Sequence, residues 1–209
     1  MNDLDLKTLV PSAEADERSR EAAARLASAA ADRDLLDVAI ATVQSPVGDL
    51  LVAVTPRGLV RVAFEDEDSD DVLEDLAARL SPRILESARA TDRVRRELQE
   101  YFERERTRFD LRIDRRLMGT FAKQVLAATS RVPFGRTTTY GELAQRIGHP
   151  RAARAVGTAL GSNPVPVVVP CHRVLRAGGA LGGYGGGLPR KELLLELEGV
   201  HLPAPEVRH

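Results

Sequence analysis

Residues 163–174 read NPVPVVVPCHRV, the stretch that bears most directly on the fold and chemistry of this chain. Its β-branched valines lie between prolines, which predicts a stiff, buried and extended segment. The segment places Cys171, the only cysteine of the chain, next to His172. A thiolate is a strong nucleophile, and a nearby base or cation lowers the pKa of a thiol. The pair therefore indicates either a nucleophilic site or a buried structural cysteine beside a solvated histidine.

Two short helices are predicted upstream of this segment. Thr139 is placed to cap a helix over residues 140–147, and after a turn containing glycine and proline a second helix follows over residues 151–162. Such a pair fits a helix-turn-helix that reads DNA, and it also fits a plain helical hairpin. The second helix is rich in alanine and glycine and carries Arg151 and Arg154. Its small side chains allow close approach either to a DNA minor groove or to a neighbouring helix.

A glycine-rich tract lies downstream, over residues 178–187, and Tyr184 is its only aromatic residue. It predicts a loop whose backbone N–H groups line a pocket, the alternative being a flexible surface loop. The helix predicted over residues 190–198 offers glutamates that can orient an imidazole. Because neighbouring side chains of a strand point to opposite faces, direct contact between Cys171 and His172 requires a turn or a bridging water.

The charge of the chain is strongly divided along its length. The whole chain has a net charge of −1, yet residues 115–191 contain 12 basic residues and one acidic residue, Glu142. Residues 1–112 contain 17 basic and 25 acidic residues. The basic block indicates a polyanionic partner or, equally, a solvated face that balances an acidic neighbouring domain.

The first half of the chain is predicted to be scaffold. Three β-branched runs separated by turn sequences predict an antiparallel meander, and helical patterns follow in both halves. The predicted strands are 38–43, 50–54, 59–64 and 109–113, and the predicted helices outside the pair above are 69–80, with Ser69 as its cap, 92–106 and 119–131. No short motif in residues 1–112 carries chemistry.

Several classes of protein are excluded by composition. A single cysteine permits neither an internal disulfide nor a zinc site built from cysteines. The longest apolar run is far shorter than the roughly 20 residues that span a bilayer. The acidic N-terminus lacks the features of a secretory signal, so we expect a soluble, cytoplasmic protein with no membrane partner. Residues 1–36 predict a peripheral helical extension without visible chemistry.

Five motifs, in order and in register, resemble the methylated-DNA–protein-cysteine methyltransferases, also called O6-alkylguanine-DNA alkyltransferases. The match is nearly free of gaps from residue 132 to residue 199, and a looser match covers residues 37–113. The motifs are RAVG at 154–157, NPVP at 163–166, PCHRV at 170–174, GYGGGL at 183–188, and Lys191 with Glu198-Gly199 downstream.

The resemblance implies an α+β fold in two domains. Residues 37–113 are expected to form a ribonuclease-H-like N-terminal domain with a small antiparallel sheet and helices. Residues 114–203 are expected to form a mostly helical domain with the helix-turn-helix, the active-site loop and the alkyl acceptor, and residues 204–209 a tail.

The resemblance also implies the chemistry. Cys171 accepts the alkyl group and its sulfur is held ionised beside a cavity for a purine. His172 takes the thiol proton through a water, Glu198 orients His172, and Asn163 acts as a hinge. Tyr140 contacts a phosphate and donates a proton to the base. The expected substrate-pocket residues are Tyr184, Gly185, Pro166, Val174 and Lys191.

The expected partner is alkylated double-stranded DNA, bound through its minor groove. Arg154 is expected to enter the duplex where O6-alkylguanine, or O4-alkylthymine, has rotated out. The DNA-contacting residues implied are Arg154, Tyr140, Gly141, His149, Arg151, Ala152, Ala153 and Gly157. We expect a stoichiometric, self-inactivating enzyme that is monomeric, with cooperative binding along DNA left open.

Two positions depart from the family pattern. Gly185 stands where serine is frequent, and His149 where asparagine is frequent. The zinc ligands of some members are missing, so neither a metal nor a cofactor is expected. The alternative function is a non-catalytic helix-turn-helix or damage-sensing module, which the presence of Cys171 disfavours.

Overall fold

The computed structural model of this chain describes residues 36–201, together with Ala22 and Arg25. The predicted extension over residues 1–36 therefore lies almost wholly outside the described residues, as does the predicted tail over residues 204–209. The α+β fold class is confirmed: a small sheet with helices comes first along the chain, and a mostly helical part follows.

A four-stranded sheet forms the first part. Strands β1 (Val38–Val43), β2 (Leu50–Thr55) and β3 (Gly58–Phe64) make the expected antiparallel meander. A strand that was not predicted, β4 (Ile84–Glu86), pairs in parallel with β1, so the order is β3-β2-β1-β4. β4 has only three residues, too few to show an alternating pattern.

Helices α1 (Ser69–Arg79) and α2 (Ala88–Phe102) accompany this sheet. The predicted cap of α1 is wrong, because the side chain of Asp68 rather than that of Ser69 accepts from the first turn. α2 begins four residues before the predicted position, since Ser87 provides a cap that the sequence pattern did not reveal.

The predicted strand over residues 109–113 is also wrong, because its only strand-like contact within residues 36–201 is a bridge between Ile113 and Leu59. The backbone N–H of Asp110 donates to the Glu97 carboxylate at 2.7 Å, and the Asp110 carbonyl accepts from Arg93. Side chains of α2 thus satisfy the backbone that a neighbouring strand would otherwise pair with.

The second part contains helices α3 (Thr120–Thr129), α4 (Tyr140–Arg146) and α5 (Ala153–Gly161), followed by α6 (Gly187–Leu197). α4 and α5 pack on each other and on α3, as in the expected helix-turn-helix. Thr139 caps α4 as predicted, and it forms a reciprocal capping box with Glu142.

The prediction of an extended segment over residues 163–170 is wrong, although the segment is buried as expected. It folds into consecutive turns, and Val167 has a positive φ of 69°. The Asn163 side chain replaces the missing strand partner: its Oδ1 accepts from Val165 N at 3.1 Å, and its Nδ2 donates to Val169 O at 3.0 Å. An asparagine can serve both roles because its amide is donor and acceptor at once.

A single hydrophobic cluster joins the sheet to the helical part, with Leu50 and Leu98 on one side and Val125, Val156 and Leu194 on the other. A two-residue pairing of Thr138–Thr139 (β5) with Val174–Leu175 (β6) connects the start of α4 to the segment after Cys171. Within the described residues, no helix is long and apolar enough to cross a membrane.

Candidate active site

Cys171 begins a short 3₁₀ turn, Cys171–Arg173, immediately after the turns over residues 163–170. Its side chain is buried, and its residue is only 6% exposed. The Sγ atom accepts a hydrogen bond from Asn163 Nδ2 at 3.2 Å. Cys171 also lines a cavity of about 520 Å³. The cavity reaches from the glycine-rich loop to the first part of the chain, the four-stranded sheet with α1 and α2, which we call the sheet domain. The thiol is therefore sheltered, yet it adjoins an open space in the protein surface.

The surroundings of the Cys171 thiol favour its protonated form, whereas an ionised sulfur was expected. Burial raises its pKa, and the opposing effects of the Asn163 hydrogen bond and the Lys191 charge do not compensate. A buried thiolate is costly when few groups neutralise it. A protonated thiol needs a base within reach before it can act as a nucleophile.

His172 is the nearest candidate base in sequence, and it is completely buried. Its Nε2 lies 2.8 Å from Glu198 Oε1. Burial lowers the pKa of His172, although the neighbouring carboxylate of Glu198 raises it, so the neutral imidazole is favoured. A proton on Nε2 then bonds Glu198 and leaves Nδ1 free to accept. Nδ1 is buried and has no hydrogen-bond partner within residues 36–201.

Glu198 follows the last turn of α6 and is held by several donors. Arg173 donates to both of its oxygens at 2.8 Å, Tyr101 donates to Oε1 at 2.7 Å, and the backbone N–H of Gly135 donates to Oε2 at 3.1 Å. Burial acts to raise the pKa of Glu198, but hydrogen bonds from His172 and Arg173 outweigh it and lower the pKa to about 2. Glu198 is therefore an anion at neutral pH.

Sequence reasoning missed two members of this group. Arg173 follows His172 directly, and it reaches the same carboxylate because residues 171–173 form a turn rather than the expected extended segment. Tyr101 lies 97 residues before Glu198, on α2, and no local pattern pointed to its contact with the carboxylate.

The glycine-rich loop folds over the site under constraints from both sides. A Cβ on Gly186 would lie 2.5 Å from the Phe64 ring, and one on Gly182 would lie 2.2 Å from the Tyr140 hydroxyl. The Tyr184 ring stands at right angles to that of His172, with centroids 6.5 Å apart. The Tyr184 hydroxyl is buried and, like His172 Nδ1, has no partner in the described chain. Unpaired buried polar atoms are rare in proteins, so two of them in one place indicate a functional site.

The expected pocket residues occupy two different positions. Tyr184, Gly185 and Pro166 line the cavity together with Cys171. Lys191 is fully buried and donates through Nζ to the carbonyls of Val174 at 2.7 Å and Gly182 at 3.3 Å. Burial lowers its pKa to about 8. Val174 and Lys191 thus connect the loop to the active-site segment and do not line the cavity.

The residues expected to contact DNA surround α4 and α5. The side chains of Arg151, Arg154 and His149 are exposed, and neither arginine forms an ion pair with residues 36–201. The half-buried residues are Gly141, Ala152, Ala153, Gly157 and Tyr140. Gly157 packs against the Tyr140 ring, because a Cβ there would meet that ring at 3.7 Å. The surface therefore carries small side chains and two exposed arginines that have no ion-pair partner within residues 36–201.

Comparisons with known proteins agree with this architecture. The ribonuclease-like domain of 6-O-methylguanine DNA methyltransferase matches residues 38–115, and the DNA-binding domain of that family matches residues 120–200. A methylated-DNA–protein-cysteine methyltransferase of Mycolicibacterium paratuberculosis is 43% identical over 164 residues, which cover 78% of this chain and 93% of that protein.

Solved structures are similar as well. The crystal structure of Mycobacterium tuberculosis O6-methylguanine methyltransferase shares 38% identity with this chain and a TM-score of 0.66, with 80% of this chain and 96% of that chain covered. A Mycobacterium tuberculosis OGT in complex with DNA matches with the same identity and TM-score, covering 77% of this chain and 93% of the other.

Proposed function

The chain belongs to the methylated-DNA–protein-cysteine methyltransferases and repairs O6-methylguanine in DNA by alkyl transfer, and we propose that its own Cys171 is the acceptor. The observation that carries the proposal is the position of Cys171 in the wall of a cavity, beside a buried His172–Glu198 pair. The alternative function, a non-catalytic DNA-binding or damage-sensing module, has no support from the comparisons.

His172 is the base that receives the thiol proton. Its Nδ1 is unpaired within the described chain, and a bridging water would connect it to Cys171 Sγ. Glu198 stabilises the imidazolium that forms, because its low pKa keeps it charged. The sulfur then attacks the alkyl carbon, and the S–C bond forms as the bond from carbon to guanine O6 breaks.

Tyr140 donates the proton that the departing guanine requires. Burial raises the pKa of Tyr140, so its hydroxyl is protonated at neutral pH and available as a donor. The proton now on His172 restores the hydroxyl, and the balance of the reaction is one thiol consumed and one thioether formed. No group at this site can remove an alkyl group from sulfur, so each molecule reacts once. The protein is thus a stoichiometric, self-inactivating transferase that needs no cofactor or metal.

Asn163 prepares the acceptor, and the glycine-rich loop shapes the substrate pocket. The Asn163 amide bonds Cys171 Sγ and fixes the turns that precede it. Tyr184 and Pro166 provide walls, Gly185 provides a backbone N–H for the substrate oxygen, and Lys191 with Val174 holds the loop in place. O4-alkylthymine is a second substrate that this pocket could serve.

DNA is bound through α4 and α5 in the minor groove. A base inside the duplex cannot reach a buried sulfur, so the alkylated nucleotide must rotate out, at a cost of a few kcal/mol. Arg154 is exposed and can enter the gap, and Arg151 and His149 are exposed and would contact the phosphates. Tyr140 and Gly141 lie at the start of α4. The small residues Ala152, Ala153 and Gly157 allow close approach. The protein acts as a monomer, and its affinity should fall with salt.

The cytoplasm is the proposed location of the protein, because its substrate is DNA. The relatives come from bacteria and archaea such as Methanosarcina acetivorans, where chromosomal DNA lies in the cytoplasm. A reduced, reactive thiol also suits that compartment.

The decisive experiment is intact-mass analysis after incubation with a duplex containing O6-methylguanine. We expect one added methyl group per molecule, located on the peptide with Cys171, and none for Cys171→Ser. Methyl transfer that continues beyond one equivalent, or a methyl group elsewhere in the chain, would contradict the proposal.

The same assay tests base rotation. Arg154→Ala should slow transfer from duplex DNA more than transfer from the free modified base, because only the duplex leaves a gap to fill. Equal slowing on both substrates would remove Arg154 from this role.

A further inference from the structure

Tyr101 connects the sheet domain to the charged group behind Cys171. It stands on the last turn of α2, is fully buried, and donates its hydroxyl to Glu198 Oε1 at 2.7 Å. This is the same oxygen that faces His172 Nε2 at 2.8 Å. Tyr101 belongs to the sheet domain, which was predicted to be scaffold, yet it shares the acceptor Glu198 Oε1 with His172, the proposed base.

The Tyr101 ring is held on several sides by aromatic neighbours. Its centroid lies 5.3 Å from that of Phe102, 5.1 Å from that of Phe109 and 6.0 Å from that of Phe134. Such packing fixes the ring and therefore the direction of the hydroxyl. Burial and the Glu198 charge raise the pKa of Tyr101 far above its ordinary value, so the hydroxyl always donates.

We propose that Tyr101 is a positioning residue for alkyl transfer: its hydroxyl fixes Glu198 Oε1 toward His172 and limits how strongly that oxygen holds the imidazolium. The inference rests on the proposed function of the Cys171 site. Tyr101 touches neither substrate nor sulfur and acts through Glu198.

The physical reason is competition for one carboxylate oxygen. Each donor on Oε1 withdraws part of the negative charge that would otherwise stabilise a protonated His172. When the Tyr101 hydroxyl is removed, Oε1 interacts more strongly with the imidazolium, and the pKa of His172 rises. A His172 that gains a proton more readily is neutral only at higher pH, so the acid limb of the rate profile moves upward.

Other charged or titratable groups around His172 remain the same in this comparison. Besides Glu198 and Tyr101, they are Arg173, Lys191, Cys171 and Tyr184. None of them changes its covalent structure in the variant, so a displaced limb reports the hydroxyl.

The test is the single-turnover rate of methyl transfer as a function of pH for the wild type and Tyr101→Phe. We expect the acid limb of the variant to move upward by roughly half to one pH unit, with a several-fold lower rate on that limb. Thr91→Val is the matched control, because Thr91 is another buried hydroxyl of α2 and its bond goes to Ser87 O. Thr91→Val should lower the melting temperature and leave the limb in place.

An unmoved limb, or one that moves downward, would overturn the inference, even if Tyr101→Phe is less stable. If Tyr101→Phe does not fold, NMR of the wild type decides instead: a slowly exchanging Tyr101 hydroxyl proton close to the His172 ring supports the inference, and its absence contradicts it. Failure of the wild type to methylate Cys171 would refute the proposed function separately, because that result does not involve Tyr101.

Discussion

The two domains bury charge in different ways. In the sheet domain, Glu97 has a side chain only 3% exposed, but its partners Arg93 and Arg106 are 53% and 26% exposed. Behind Cys171, by contrast, the side chains of both Glu198 and His172 are 0% exposed, and that of Arg173 is 6% exposed. The ion pairs of Glu97 are therefore partly exposed to solvent, whereas the group around Glu198 is almost completely buried.

This is the difference expected between an ion pair that serves the fold and one that serves the chemistry proposed for Cys171. A cation that keeps contact with water loses little when its carboxylate is removed, whereas a fully buried cation is left without a counter-charge. Sealed ion pairs rarely add net stability compared with apolar residues of the same size. The cost of the group behind Cys171 is therefore best explained by the chemistry proposed for it.

The largest effect on stability is expected from removing the buried charge of Glu198. Glu198→Gln leaves Arg173 buried without an anion, and we expect the free energy of unfolding to fall by about 3–5 kcal/mol. Glu97→Gln should cost about 1–2 kcal/mol, since Arg93 and Arg106 regain water. Urea denaturation of the two variants measures both values. Equal losses would show that exposure of the arginines does not distinguish the two domains.

The next effect is a dependence of stability on pH. Burial lowers the pKa of His172 below its ordinary value of 6.5, so the unfolded chain binds a proton that the folded chain does not. Stability should therefore fall as the pH decreases from about 6.5, by up to roughly 1.4 kcal/mol per pH unit. A second loss should follow between pH 4.5 and about 2, where Glu198 is protonated in the unfolded chain before it is in the folded one.

His172→Gln serves as the reference for this prediction. The upper loss, which begins as the pH falls below about 6.5, should disappear in that variant, whereas acid unfolding through the carboxylates should persist. An upper loss of the same size in both proteins would mean that His172 is not the group responsible.

Sequence patterns predicted the elements whose signals lie within their own local sequence. The meander came from β-branched runs, and the start of α4 came from Thr139 with Glu142 three residues later. β4 and the turns over residues 163–170 escaped prediction, because long-range pairing and the Asn163 amide decide them rather than local propensity.

The candidate site divides in the same way. Cys171 and His172 stand together in one short motif, so a pattern points to them. Tyr101 and Glu198 are 97 residues apart in sequence and belong to different domains, and no local sequence pattern near either residue predicts their contact. The ionisation of Cys171 was also beyond the sequence, because it depends on how completely the fold buries the sulfur.

The smallest effects concern two neighbouring glycines at the boundary between the domains. A methyl group on Gly186 would collide with the Phe64 ring, which Arg190 covers at 4.9 Å, so we expect Gly186→Ala to cost about 1–2 kcal/mol. On Gly185 the nearest atom to a new Cβ is a carbonyl oxygen of Gly161, 3.6 Å away, an ordinary contact. Gly185→Ser should therefore change stability by less than about 0.5 kcal/mol.

Methyl transfer should follow the same order, because Phe64 of the sheet domain contacts the edge of Tyr184 in the pocket wall at 6.0 Å between ring centroids. Gly186→Ala should displace that wall and slow transfer, and Gly185→Ser should leave the rate within about twofold. Thermal melts and single-turnover rates of the two variants measure these effects. If both variants behave like the wild type, the sheet domain does not determine the shape of the pocket. Residues 37–113 would then be scaffold only, as the sequence analysis predicts.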